Sequence, residues 1–142
     1  MLVQETSFPE EKLCAPKVVL IAEDDASIAE FLSLAISQET PYTPLIATSG
    51  PHALELVQNV RPHLLILDYR LGTMNGLELY DQLHALLGFD HIPALIMGAS
   101  LEKHQQEIEH RHLIGIDKPL ELDVFLATVH ELLALRPSPM IE

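Results

Sequence analysis

Cysteine is nearly absent from this sequence, where Cys14 stands alone. A single cysteine closes no internal disulfide and supplies no cysteine-based zinc spacing, so Cys14 reads as a tail residue. Basic side chains are scarce as well: 8 Lys and Arg face 21 Asp and Glu, for a formal net charge of −13. Such a surface repels phosphate backbones, whose binding depends on lysine and arginine, and this argues against direct nucleic-acid binding. No apolar run approaches the ~18–20 residues of a membrane span. The start, MLVQETSFPEEKLCAPK, has no basic region followed by an apolar stretch, so no signal peptide is expected and the cytoplasm is the default location. Histidines are scattered. His104, His110 and His112 fall on one polar helical stretch and read as a solvated face rather than a metal cluster.

What is present is apolar material for a core, 48% of 142 residues, a length that suits one domain. Residues 1–16 are polar, contain Pro9 and Pro16, and read as a tail; residues 136–142, RPSPMIE, read as a second tail. Between them, residues 17–135 alternate strand-like and helix-like patterns. Lys17–Ala22 (KVVLIA) is a buried strand by its β-branched content, and Ile28, Phe31, Leu32 and Ala35 then share one helical face. Thr43–Thr48 is a weaker strand; Pro44 cannot donate to a ladder, which places it at a sheet edge. Ser49-Gly50-Pro51 starts a helix with Pro51 in the first turn, running to about Val60 before Pro62. His63–Asp68 (HLLILD) is the strongest strand and stops abruptly at a carboxylate. A loop over Gly72 to Gly76 leads into a helix to about Leu87, then Ile92–Gly98 is a fourth strand. Ser100–His112 reads as one short exposed helix and Leu113–Ile116 as a fifth strand. Leu122, Phe125, Leu126, Val129 and Leu133 mark the face of a last helix.

Five strands alternating with five helices give a doubly wound parallel sheet covered on both faces. Its site belongs beyond the carboxyl ends of the strands. There the sequence places Glu23-Asp24-Asp25 after the first strand, Asp68 at the end of the third and Asp117-Lys118-Pro119 after the fifth. Carboxylates gathered at one edge repel unless a cation or proton neutralises them. A hard oxygen-seeking ion such as Mg²⁺ suits them, and Lys118 adds a fixed positive charge for an anionic oxygen. Phosphoryl transfer to a carboxylate nucleophile fits this pattern, because its catalysis is mostly positioning and charge neutralisation. Asp25 has a plainer role, capping the helix that follows.

Three segments, VVLIAEDDASI (Val18–Ile28), LLILDYRLGTMNG (Leu64–Gly76) and DKPL (Asp117–Leu120), resemble the receiver domains of two-component response regulators over roughly Lys17 to Leu135. The resemblance implies a flavodoxin-like (CheY-like) fold with strand order 2-1-3-4-5. It implies that Asp68 accepts a phosphoryl group from a sensor histidine kinase or histidine phosphotransfer protein, as a signalling step rather than enzymatic turnover. It further implies that Mg²⁺ (or Mn²⁺) is held by Asp24, by Glu23 directly or through water, by Asp68 and by the backbone carbonyl of Arg70. Lys118 matches the lysine that contacts the phosphoryl group, and the bond before Pro119 is commonly cis in relatives. Many relatives also pair as homodimers.

The sequence departs from the family pattern at three places. Gly98 stands where a Thr or Ser hydroxyl normally meets the phosphoryl oxygen, and Ser100, two residues on, replaces it only if the loop is rearranged. Gly115 stands where an aromatic residue normally lies, three before the lysine. The stretch from Ala99 to Asp117 is slightly short and lacks the usual acidic turn. Relatives use the hydroxyl and the aromatic together to report phosphorylation to the fourth-helix and fifth-strand face, so an altered switch is expected here. The competing reading is a degenerate receiver that binds partners without being phosphorylated. An aspartyl-nucleophile phosphatase would want a second aspartate where Arg70 stands. A flavin binder would want a phosphate loop where Glu23-Asp24-Asp25 would repel it.

Overall fold

The computed structural model describes residues 17–88 and 92–134; the two tails, Cys14 and residue 135 lie outside the described residues. Strands β1 (Val18–Ala22), β2 (Thr43–Ala47), β3 (Leu64–Asp68), β4 (Ala94–Gly98) and β5 (Ile114–Asp117) form one parallel sheet in the order β2-β1-β3-β4-β5. Helices α1 (Ala26–Glu39), α2 (Gly50–Leu56), α3 (Gly76–Leu87), α4 (Gln105–His110) and α5 (Leu122–Ala134) connect and cover it. The doubly wound sheet expected from the alternation, and the flavodoxin-like strand order that the resemblance implies, are therefore the ones observed. Every residue of β1, β3 and β4 is buried, as their unbroken apolar runs require for strands covered on both faces.

Strand alternation divides the core in two. Leu20, Ala22, Leu65, Leu67 and Ile96 face the layer that contains α2, α3 and α4. Val19, Ile21, Leu64, Ile66, Leu95 and Met97 face α1 and α5. Pro44 does sit on the edge strand: Thr43 donates its N–H to the Lys17 carbonyl at 2.8 Å. Alternation then turns the nitrogen of Pro44 away from β1, where no ladder bond is lost.

Several boundaries differ from the sequence reading, each for a local reason. Helix α2 stops at Leu56 rather than Val60, because Gln58 and Asn59 bond back to Glu55 and Leu56 in tighter turns. The loop after β3 folds into a two-residue antiparallel ribbon, Arg70–Leu71 against Met74–Asn75, and Gly76 is the first residue of α3. Asn75 and Glu78 complete a capping box there. The single helix expected over Ser100–His112 is a 3₁₀ turn, Leu101–His104, followed by α4, and it buries Leu101 and Ile108. Helix faces are shifted too. In α1 the buried residues are Ala29, Leu32, Ala35 and Ile36, while Phe31 is 41% exposed; in α5 Leu122 is 42% exposed and Leu132 is buried. Among the described residues no helix is long and apolar enough to cross a membrane.

Candidate functional site

The crossovers bring the carboxyl ends of β1, β3, β4 and β5 to one edge of the sheet, and a pocket opens there. Glu23, Asp24, Asp68, Arg70, Gly98, Ser100 and Lys118 all line it. The acids of the first turn are held by their own backbone. Asp25 caps α1, its Oδ1 accepting the Ile28 N–H at 3.0 Å. Glu23 folds back so that its Oε2 accepts the Asp25 N–H at 3.1 Å. The Glu23 N–H in turn donates to the Ala47 carbonyl at 3.0 Å, which fixes the turn onto β2.

Two of these carboxylates are buried, Glu23 at 1% and Asp68 at 5% exposure, while Asp24 is exposed. Buried acids demand partners, and Lys118 supplies both. Its Nζ lies 3.2 Å from Glu23 Oε1 and 3.2 Å from Asp68 Oδ1. The lysine is placed by its backbone: Lys118 N–H donates to the Gly98 carbonyl at 2.8 Å, and the Lys118–Pro119 bond is cis. Burial is the largest influence on Glu23 and pushes its carboxyl up to about 7. The Asp25 N–H and Lys118 oppose the rise, and the charge of Asp68 adds to it. Burial works against the Lys118 ammonium, but Asp68 and Glu23 outweigh it and hold its pKa above the ordinary lysine value.

Glu23, Asp24 and Asp68 each offer a carboxylate oxygen, and the three lie within 4.8 Å of one another. This all-oxygen, mixed buried and exposed set fits a small hard cation that keeps some of its water, as Mg²⁺ does. It does not suit a thiolate- or imidazole-seeking metal. Arg70 lies on the pocket rim, at the start of the ribbon that leaves Asp68. The ribbon is held close to the sheet, since Gly76 donates its N–H to the Tyr69 carbonyl at 2.8 Å. A Cβ at Gly76 would meet the Asp68 carbonyl oxygen, its carbon and the Tyr69 Cα, all within 3.2 Å.

Part of the rim has no counterpart among the residues expected from the sequence. Tyr69, directly after Asp68, stacks on His104 with ring centroids 4.2 Å apart, and its hydroxyl lies 3.3 Å from His104 Nδ1. Burial pushes the Tyr69 phenol above its ordinary pKa. His104 is therefore half-buried at the site rather than on a solvated face, and it does not cluster with His110 and His112. Lys103 lines the same pocket. Ser100 is exposed on the rim, while Gly98 is buried at the end of β4.

Comparison with known proteins agrees with this geometry. Residues 19–130 match the family model described as response regulator receiver domain. The chain is 30% identical over 126 residues to response regulator MprA of Mycobacterium sp. (strain KMS), covering 87% of this chain and 53% of that protein. It thus spans about half the length of this relative. Among solved structures it resembles chemotaxis protein CheY4 of Vibrio cholerae, with a TM-score of 0.73, 26% identity, and 83% and 99% of the two chains covered. It also resembles a CheY-like receiver domain protein from Methanospirillum hungatei JF-1, with a TM-score of 0.75, 25% identity, and 86% and 97% covered. The chain belongs to the response regulator receiver domain family.

Proposed function

We propose that this receiver is a working phosphoacceptor, with Asp68 as the acceptor. The observation that carries the reading is the placement of one ammonium, Lys118 Nζ, at 3.2 Å from both Asp68 Oδ1 and Glu23 Oε1. A carboxylate oxygen of Asp68 attacks the phosphorus of a phosphohistidine, and the P–N bond breaks with its electron pair on the leaving imidazole nitrogen, which takes a proton from solvent water. Lys118 stays charged throughout and faces the phosphoryl oxygens that gather negative charge. Glu23, Asp24, Asp68 and the Arg70 carbonyl would hold Mg²⁺, which supplies charge neutralisation at the phosphoryl group. The donor is a sensor histidine kinase or a histidine phosphotransfer protein, and the setting is the cytoplasm. Gly98 offers no hydroxyl to the phosphoryl group. One lost contact of this kind weakens the phosphorylated state by roughly 1–3 kcal/mol, without removing the acceptor, the acids or the lysine.

The test is intact-mass measurement after exposure to a small acyl-phosphate donor, with and without Mg²⁺. A Mg²⁺-dependent adduct that disappears in Asp68→Asn supports the reading. The degenerate-receiver alternative rests on the Gly98 and Gly115 departures, and it is favoured if no adduct forms and millimolar Mg²⁺ does not bind.

A further inference from the structure

Gly98 and Gly115 are separate in the chain but share one neighbour. Gly98 ends β4, and Gly115 lies in β5 opposite Ile96, so both turn toward the layer that contains the 3₁₀ turn and α4. Leu101, the first residue of that turn, is 4% exposed. A Cβ built on Gly98 would lie 2.7 Å from Leu101 Cδ2 and 3.2 Å from Tyr69 Cβ. A Cβ built on Gly115 would lie 2.9 Å from Leu101 Cδ1 and 3.4 Å from Ile108 Cδ1. One leucine thus rests a methyl on each glycine, in space that a side chain at either position would enter. Tyr69 and Ile108 border the same two Cβ positions, and both pack in the core cluster that holds Leu101, where dense packing leaves little room to retreat.

We propose that Leu101 is a positioning residue, an apolar plug that clamps the segment Leu101–His110 to the sheet whatever the state of Asp68. The two glycines and the leucine form one interlocked unit, so the two departures from the family pattern are one structural change. With no hydroxyl at position 98, a phosphoryl group on Asp68 gains no side-chain hold on the end of β4. A modification moves an equilibrium only through contacts that differ between its states. The clamped segment also carries Lys103 and His104 to the pocket rim, so the plug fixes that rim while silencing the α4 and β5 face. This inference rests on Asp68 being the acceptor.

A stability cycle tests the interlock without any phosphoryl group. Gly98→Thr, with Gly98→Ala as the milder variant, should lower the Tm because the new Cβ strikes Leu101. Leu101→Ala should lower it by opening a cavity, and Gly98→Thr should cost less in the Leu101→Ala background than in the native sequence, because only the Tyr69 contact then remains. Losses that simply add would overturn the interlock. The second arm adds beryllofluoride and Mg²⁺, a mimic of the phosphoryl group, and follows methyl and amide NMR signals. The expected result is shifts at the pocket, Lys103 and His104 included, with the Leu101 methyl contacts to Gly98 and Gly115 kept and the amides of Gln105–His110 unchanged. Movement of Leu101 overturns the clamp alone. Shifts nowhere, pocket included, contradict the acceptor reading and the clamp with it.

Discussion

Lys118 Nζ and Asp68 Oδ1 stand 3.2 Å apart at the carboxyl edge of the sheet, and the same nitrogen reaches Glu23 Oε1 at the same distance. One cation therefore serves two buried anions. Removing it should leave Asp68 without its cation and Glu23 with the Asp25 N–H alone. Lys118→Met is expected to lower the unfolding free energy by on the order of 1–3 kcal/mol near neutral pH, read by urea denaturation. An unchanged denaturation midpoint would show that solvent already screens the pair.

The raised Glu23 pKa gives stability a pH dependence with a definite sign. The folded state holds its proton more tightly than the unfolded chain does, so between about 4.5 and about 7 the folded state binds more protons. Stability of the metal-free protein is therefore expected to fall as pH rises through that window. Glu23→Gln should flatten the slope, as measured by Tm against pH in the presence of a chelator. A slope of opposite sign in the native sequence would contradict the burial argument.

Gly76 fits only because it has no side chain. Its neighbours at the Cβ position are backbone atoms of Asp68 and Tyr69, which cannot swing aside. Gly76→Ala is expected to cost about 1–3 kcal/mol through overpacking and to slow phosphorylation by displacing Asp68. Calorimetry together with the acyl-phosphate assay checks both effects. An alanine variant that matches the native protein in both would refute the close approach.

Arg111 closes a fork on Asp81, with Nε and Nη2 each 2.8 Å from a carboxylate oxygen, and so ties the end of α4 to α3. The bond to Arg111 holds the Asp81 pKa below its ordinary value. The pair's contribution is complete above the usual aspartate range and is lost as pH falls through the depressed value. Asp81 is more than half exposed, so Arg111→Lys should cost under about 1 kcal/mol. A double-mutant cycle with Asp81→Asn measures the coupling.

Much of this molecule is legible in its sequence. The runs VVLIA, LLILD and ALIMG are apolar and unbroken because both faces of a parallel sheet are covered, and Asp68 is conspicuous because a carboxylate ends such a run. Glu23, Asp24 and Lys118 follow from the rule that sites lie at strand carboxyl ends. Helix faces were harder: Phe31 and Leu32 are adjacent, and a rotation of one residue decides which is buried. The interval from Leu101 to Ile108 is a helical repeat that marks two buried residues within a polar stretch, but the 3₁₀ start hides it. The meeting of Leu101 with Gly98 and Gly115 has no sequence signal, because strand pairing alone brings the two glycines together. The Tyr69–His104 stack is a contact across 35 residues and is hidden for the same reason.

Borohydride trapping shows whether the phosphoryl group sits on Asp68 itself. After exposure to the acyl-phosphate donor and Mg²⁺, reduction of an aspartyl phosphate leaves homoserine at the modified position, which peptide mapping locates. Homoserine is expected at position 68, and none in Lys118→Met or in metal-free protein under the same brief exposure. Homoserine at position 24 or 117, or at no position while an intact-mass adduct is present, would contradict it.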